Sequence, residues 1–137
     1  MFQILHIIKK YLFAIVIMVF VSATIPLFGQ DTLAGNYPVL SIKTGNYVIK
    51  SVVTVKGNLD IEAGARIELI EQGIIVCEGA LKIAGELNNK IEIFGKSNVE
   101  GVGIVIRGLD STSNSTIDIK YATFKNLQLP LFFDFVW

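Results

Sequence analysis

One recurrence constrains this chain more than any other feature. Between Asn58 and Phe94 an apolar-x-apolar pair returns four times, as Leu59/Ile61, Ile67/Leu69, Leu81/Ile83 and Ile91/Ile93. Gly or Gly-Ala separates the pairs, and Asn88-Asn89 precedes the last. Within each pair the apolar side chains alternate with polar ones: Asp60 and Glu62 beside Leu59 and Ile61, Arg66 and Glu68 beside Ile67 and Leu69. That period of two is the pattern of a half-buried strand, not of a helix. Leu59 and Ile61 return as Leu81 and Ile83, a shift of 22 residues. Several short strands in a period of that size describe a solenoid. One unit cannot bury its apolar face alone, so units stack and each presents the same face to the next.

The pattern extends in both directions. "NYVIKSVVTVKG" supplies Tyr47, Ile49, Val53 and Val55, while "GIVIRG" at 103–108 and "STIDIKYATFKN" at 115–126 continue the series. No ten-residue window after Asp31 keeps a helical stripe. The expectation is an all-β chain whose inward set includes Ile61, Ile67, Leu81, Ile83, Ile91 and Ile93, with Asp60, Glu62 and Glu68 pointing out. Glycines at 45, 57, 64, 73, 79, 85, 95, 101, 103 and 108 stand between runs or at their edges. The simplest reading gives them turn conformations with positive φ.

The first thirty residues differ from the rest. Lys9-Lys10 precedes an apolar run from Tyr11 to Phe28, and small residues follow Val21. A positive flank, an apolar stretch and then small residues describe a secretory signal peptide. Cleavage after Ala23 or after Gln30 fits the pattern. The alternative is a retained single-span anchor, since about eighteen apolar residues approach what a bilayer core requires. Under either reading the remainder leaves the cytoplasm, because the Lys pair holds the N-terminus inside. The chain therefore divides into residues 1–30 as signal or anchor, 31–44 as a lead-in, and 45–137 as β-helix coils.

Composition excludes several functions. The chain has 12 Lys+Arg and 12 Asp+Glu. Without residues 1–30 it retains 10 basic and 12 acidic side chains, and no basic patch suggests nucleic acid. Cys77 is the only cysteine and lies in the apolar run "GIIVCEG". It reads as a small core residue. The only histidine is His6 in the leader, so no Cys-His or Ser-His pair is available downstream.

The run "VVTVKGNLDIEAGARIELIEQGIIVCEGALKIAGELNNKIEIFG" resembles the first coils of exported bacterial right-handed parallel β-helix proteins of the pectin-lyase-like type. The matching residues are Leu59, Ile61, Gly64, Ala65 and Ile67, then Gly79, Leu81 and Gly85, then Ile91 and Phe94. "VEGVGIVIRG" stands where a "W-x-G-I-x-I" segment usually follows; Gly103, Ile104 and Ile106 match, but the tryptophan is missing. The resemblance covers about residues 45–126. It implies a right-handed parallel β-helix. Two other architectures satisfy part of the pattern. A left-handed hexapeptide β-helix would use Ile75, Leu81, Leu87, Ile93 and Val99, a spacing of six that fails at Gly57 and Ser111. An antiparallel β-sandwich also shows short alternating strands.

Relatives of this type include lyases and hydrolases of acidic polysaccharides, whose sites need clustered carboxylates and a basic residue. Here the arginines are Arg66 and Arg107, and Asp60, Glu62, Glu68, Glu71, Glu92 and Asp118 stand singly on alternating positions. No catalytic, cofactor or metal residue is assigned from the sequence. "DST" at Asp110 and "NST" at Asn114 match short glycosylation patterns and read equally as a plain loop. The functional expectation is an exported structural or binding module, a surface scaffold or adhesin-like domain. Its partners would be carbohydrate or cell-surface components. The alternative is the N-terminal part of a polysaccharide-active enzyme whose catalytic coils lie beyond Trp137. The final segment, "YATFKNLQLPLFFDFVW", is strongly apolar where a solenoid needs a polar cap. It suggests an uncapped last rung, a fragment, and self-association through that edge.

Overall fold

The computed structural model describes residues 29–96, 101–108 and 116–134. The leader features (His6, Lys9, Lys10, the run to Phe28), the Asp110 and Asn114 motifs, Val99, and Phe135 to Trp137 lie outside these residues. Among the described residues every element is a strand: β1 (Asp31–Tyr37), β2 (Leu40–Ile42), β3 (Gly45–Val55), β4 (Leu59–Glu62), β5 (Ala65–Leu69), β6 (Ile74–Cys77), β7 (Leu81–Ala84), β8 (Ile91–Gly95), β9 (Gly101–Arg107), β10 (Ile117–Lys120), β11 (Ala122–Lys125) and β12 (Leu127–Asp134).

The strands form two sheets, and every named strand pair is parallel. A four-stranded sheet runs β2-β4-β7-β10. The eight-stranded sheet is centred on β3, whose first half pairs β5 and whose second half pairs β6. From there one arm continues β5-β8-β11 and the other β6-β9-β12, while β1 lies against both halves of β3. Each turn of chain thus adds one strand to the small sheet and one to each arm of the large one. This is a parallel β-solenoid. The all-parallel pairing excludes the β-sandwich expectation, since a sandwich is built from antiparallel strands.

Register confirms the expected repeat. Leu59 pairs Leu81 and Ile61 pairs Ile83, the 22-residue shift read from the sequence. Leu40 precedes that column and Ile117 follows it. Tyr47, Ile67, Ile93 and Phe124 form another column, and Val53, Ile75, Ile104 and Leu131 a third. Ile61, Ile67, Leu81, Ile83, Ile91 and Ile93 are all sealed from solvent, as expected. Burial of each such side chain is worth about 1.5–3 kcal/mol. The hexapeptide alternative fails at Leu87, which is 67% exposed. It sits in a short loop where Glu86 and Asn89 exchange backbone hydrogen bonds, so the chain bulges outward there instead of supplying a core residue.

The glycine expectation needs correction. Gly45, Gly64, Gly103 and Gly108 do have positive φ, but Gly57, Gly73, Gly79, Gly85, Gly95 and Gly101 do not. At these six the requirement is proximity to the neighbouring rung. A Cβ on Gly57 would lie 2.6 Å from the Pro38 carbonyl oxygen, and one on Gly79 would collide with the backbone of Gly57. Glycine lets one coil lie directly on the next. Positive φ instead occurs at Glu71 and Gln72, between β5 and β6, and at Tyr121 and Asn126 on the last rung. L-residues adopt that conformation uncommonly.

Candidate functional site

Parallel stacking sends alternate side chains outward, so any site must be assembled on the outer faces from residues of successive rungs. On the β5-β8 arm, Arg66 stands in register between Asn46 and Glu92. Its Nε lies 2.7 Å from the Glu92 carboxylate, and its guanidinium lies 5.4 Å from the centre of the Phe94 ring. Glu68, one register step along, accepts a hydrogen bond from Gln30 Nε2 at 3.2 Å. One aromatic ring, one guanidinium and two carboxylates thus share an outer face. The sequence left this group unassigned because Arg66 and Phe94 are far apart along the chain; only the register makes them neighbours.

The other outward charges are used between rungs. Lys43 pairs with Glu62 across β2 and β4. Lys56 Nζ lies 2.7 Å from Glu78. Arg107 Nε lies 3.3 Å from Asp134, whose backbone is its register partner. Asp60 stands opposite Lys82 in register, and Asp118 opposite Lys82 on the other side. Asp118 also receives a hydrogen bond from Lys120 on its own strand at 3.3 Å. Glu71 is exposed in the turn after β5. The acids singled out in the sequence are therefore distributed over both sheets, mostly opposite a cation. Exposed pairs of this kind contribute little stability each, about 0–1 kcal/mol. In the observed register they set opposite charges at facing positions, as Arg66 and Glu92 or Asp60 and Lys82 do.

Among the described residues no group of three or more His, Cys, Asp or Glu side chains converges as metal ligands would. Cys77 is buried, and its Sγ lies 3.5 Å from the Gly79 carbonyl oxygen. Burial pushes its thiol up from the ordinary value. That direction disfavours the nucleophilic thiolate. Among the described residues no helix is long and apolar enough to cross a membrane.

A scan against protein-family models gives no match, and searches of curated proteins and of solved structures give none either.

Proposed function

We propose that this chain is an exported right-handed parallel β-helix of the pectin-lyase-like type. In this reading it serves as a cell-surface scaffold or adhesin-like module that binds carbohydrate or another surface component without turning it over. The observation that carries the reading is the use made of the outward charges. Lys43, Glu62, Lys56, Glu78, Arg107 and Asp134 pair across rungs, so these charges are taken up by contacts between coils. Catalysis would instead need carboxylates and a base converging on one point. The Arg66, Glu92 and Phe94 face offers a flat ring beside fixed hydrogen-bonding groups. That combination suits the apolar face and hydroxyls of a sugar. Residues 1–30 supply the export signal.

The test is a comparison of binding and turnover on polygalacturonate and alginate, each with and without Ca²⁺. Retention on one of these polymers without product, weakened by Phe94→Ala and Arg66→Ala in a chain that remains folded, is expected. Turnover by the purified chain would replace this reading with a polysaccharide-active enzyme. Fractionation of expressing cells tests export, and a chain found wholly in the cytoplasm would remove that part of the proposal.

A further inference from the structure

Tyr121 makes the corner between β10 and β11 by itself. Its φ is +48°, in the left-handed region, and the residue is 51% exposed. The corner between β4 and β5 uses Ala63 and Gly64 instead, and there Gly64 takes the positive φ, at 78°. Glycine adopts that conformation without the steric cost that a bulky L-residue meets. The backbone at the β10-β11 corner therefore gives no reason for a tyrosine, and its ring gains little burial in return. A strained residue whose side chain stands in solvent points to a use for that side chain.

Register shows what the ring accompanies. Beyond the corner Ala122 and Phe124 pack on the core, so Tyr121, Thr123 and Lys125 alternate outward. Thr123 stands opposite Glu92, and Lys125 opposite Phe94. Tyr121 and Phe94 are thus two rings on one outer face, on adjacent rungs. Strand rise and strand spacing put their Cα atoms about 14 Å apart, further than one sugar ring reaches. Between them lie Glu92, Thr123 and Lys125: a carboxylate, a hydroxyl and an ammonium. Along the solenoid axis, by contrast, the Phe94 column holds Val48, Glu68 and Lys125, none of them aromatic. At the Tyr121 end the backbone is clamped by the neighbouring rung. Gly85 N donates to the Lys120 carbonyl oxygen at 2.9 Å, and Ile91 N donates to that of Tyr121 at 3.1 Å. The ring therefore leaves from a fixed base, at the foot of the loop that carries the exposed Leu87.

On the carbohydrate reading of the Arg66, Glu92 and Phe94 face, on which this step rests, we propose that Tyr121 is a second aromatic platform of the same site. The ligand is a stretch of polysaccharide lying along β8 and β11, with one sugar on Phe94 and another on Tyr121. Glu92, Thr123 and Lys125 bond the hydroxyls of the sugars between them. The site therefore recognises a length of chain instead of a single sugar.

The experiment is titration calorimetry of the full chain with galacturonate and alginate oligosaccharides in a length series from the monosaccharide upward. Wild-type affinity for the bound series should step up once the oligosaccharide spans both rings, and then level off. Tyr121→Gly removes the ring and suits the positive φ. It should unfold at the wild-type temperature or above, and should lose affinity for the long members on the order of tenfold while binding short ones as before. Tyr121→Asn also tolerates that φ and should behave alike, whereas Tyr121→Phe should keep the step. Phe94→Ala should weaken every length. An affinity that does not rise with length would overturn the second platform. So would a Tyr121→Gly chain that binds long members as tightly as wild type while Phe94→Ala weakens them; in both cases the carbohydrate reading itself would stand. Binding of no member at any length would overturn both.

Discussion

Ile93 and Phe124 stand in one column, on adjacent rungs and in register with each other, yet one is sealed and the other half-open. The same contrast holds for Ile83 and Ile119, and for Ile104 and Leu131. The two rungs differ in their neighbours much more than in the character of their inward residues. A middle rung is covered above and below; among the described residues the β10-β12 rung is covered on one side. In a solenoid the stability of a unit is its own contribution plus that of each interface it makes. Sequence alone gives Phe124 the same credentials as Ile93, and only position in the stack separates them.

That comparison can be broken by truncating matched positions. Ile93→Ala and Ile83→Ala should cost about 2–5 kcal/mol each in urea unfolding, because they leave cavities in a closed core. Phe124→Ala and Ile119→Ala, one rung on, should cost roughly half as much despite the larger ring at Phe124, since part of each surface is already wet. Equal costs would mean that the last rung is covered.

Glycines sharpen the contrast between sealed stacking and open turns. Gly79→Ala forces a Cβ into the Gly57 backbone and should cost about 1–3 kcal/mol as local overpacking. Gly35 also has positive φ, but open space surrounds it, so Gly35→Ala should cost only the backbone penalty of about 1 kcal/mol. Thermal unfolding of the two variants should rank them in that order.

The charge column gives a smaller effect. Glu78→Gln should cost on the order of 0.5 kcal/mol at low salt and almost nothing at 1 M salt. A salt-independent loss would show that Glu78 acts through packing instead of its pairing with Lys56. The most local effect is at Cys77. Burial raises the folded thiol above its ordinary value of 9.0, so the unfolded chain loses that proton first as pH rises. Stability should therefore be insensitive to this group below pH 9 and should fall above it, less so in Cys77→Ala. Alkylation of Cys77 in the folded chain should be slow and should accelerate only with unfolding.

Much of this architecture is legible in the sequence, for a physical reason. Inward positions must be aliphatic on every rung, so Leu59/Ile61 and Leu81/Ile83 announce both the strands and their stacking. Less legible is where coils lengthen. Leu87 has the six-residue spacing of a ladder residue but lies in a loop outside the coil, and only the missing apolar-x-apolar partner and the Asn88-Asn89 that follows separate it from Ile93. The role of most glycines was also hidden, since close approach of a neighbouring coil leaves no mark in the local sequence. Lys56 and Glu78, or Arg66 and Phe94, become partners only through register. The outer face that gathers Arg66, Glu92 and Phe94 was for that reason invisible until the rungs were stacked.

Hydrogen exchange at residue level tests the central contrast most directly, because it reads the opening free energy of each rung separately. The account predicts the slowest amides in β4 to β9, with Ile61, Ile67, Ile83 and Ile93 near the global limit. It predicts exchange in β10 and β11 faster by orders of magnitude at concentrations too low for association. Amides of Ile119 and Phe124 as protected as those of Ile83 and Ile93 in the dilute chain would contradict it.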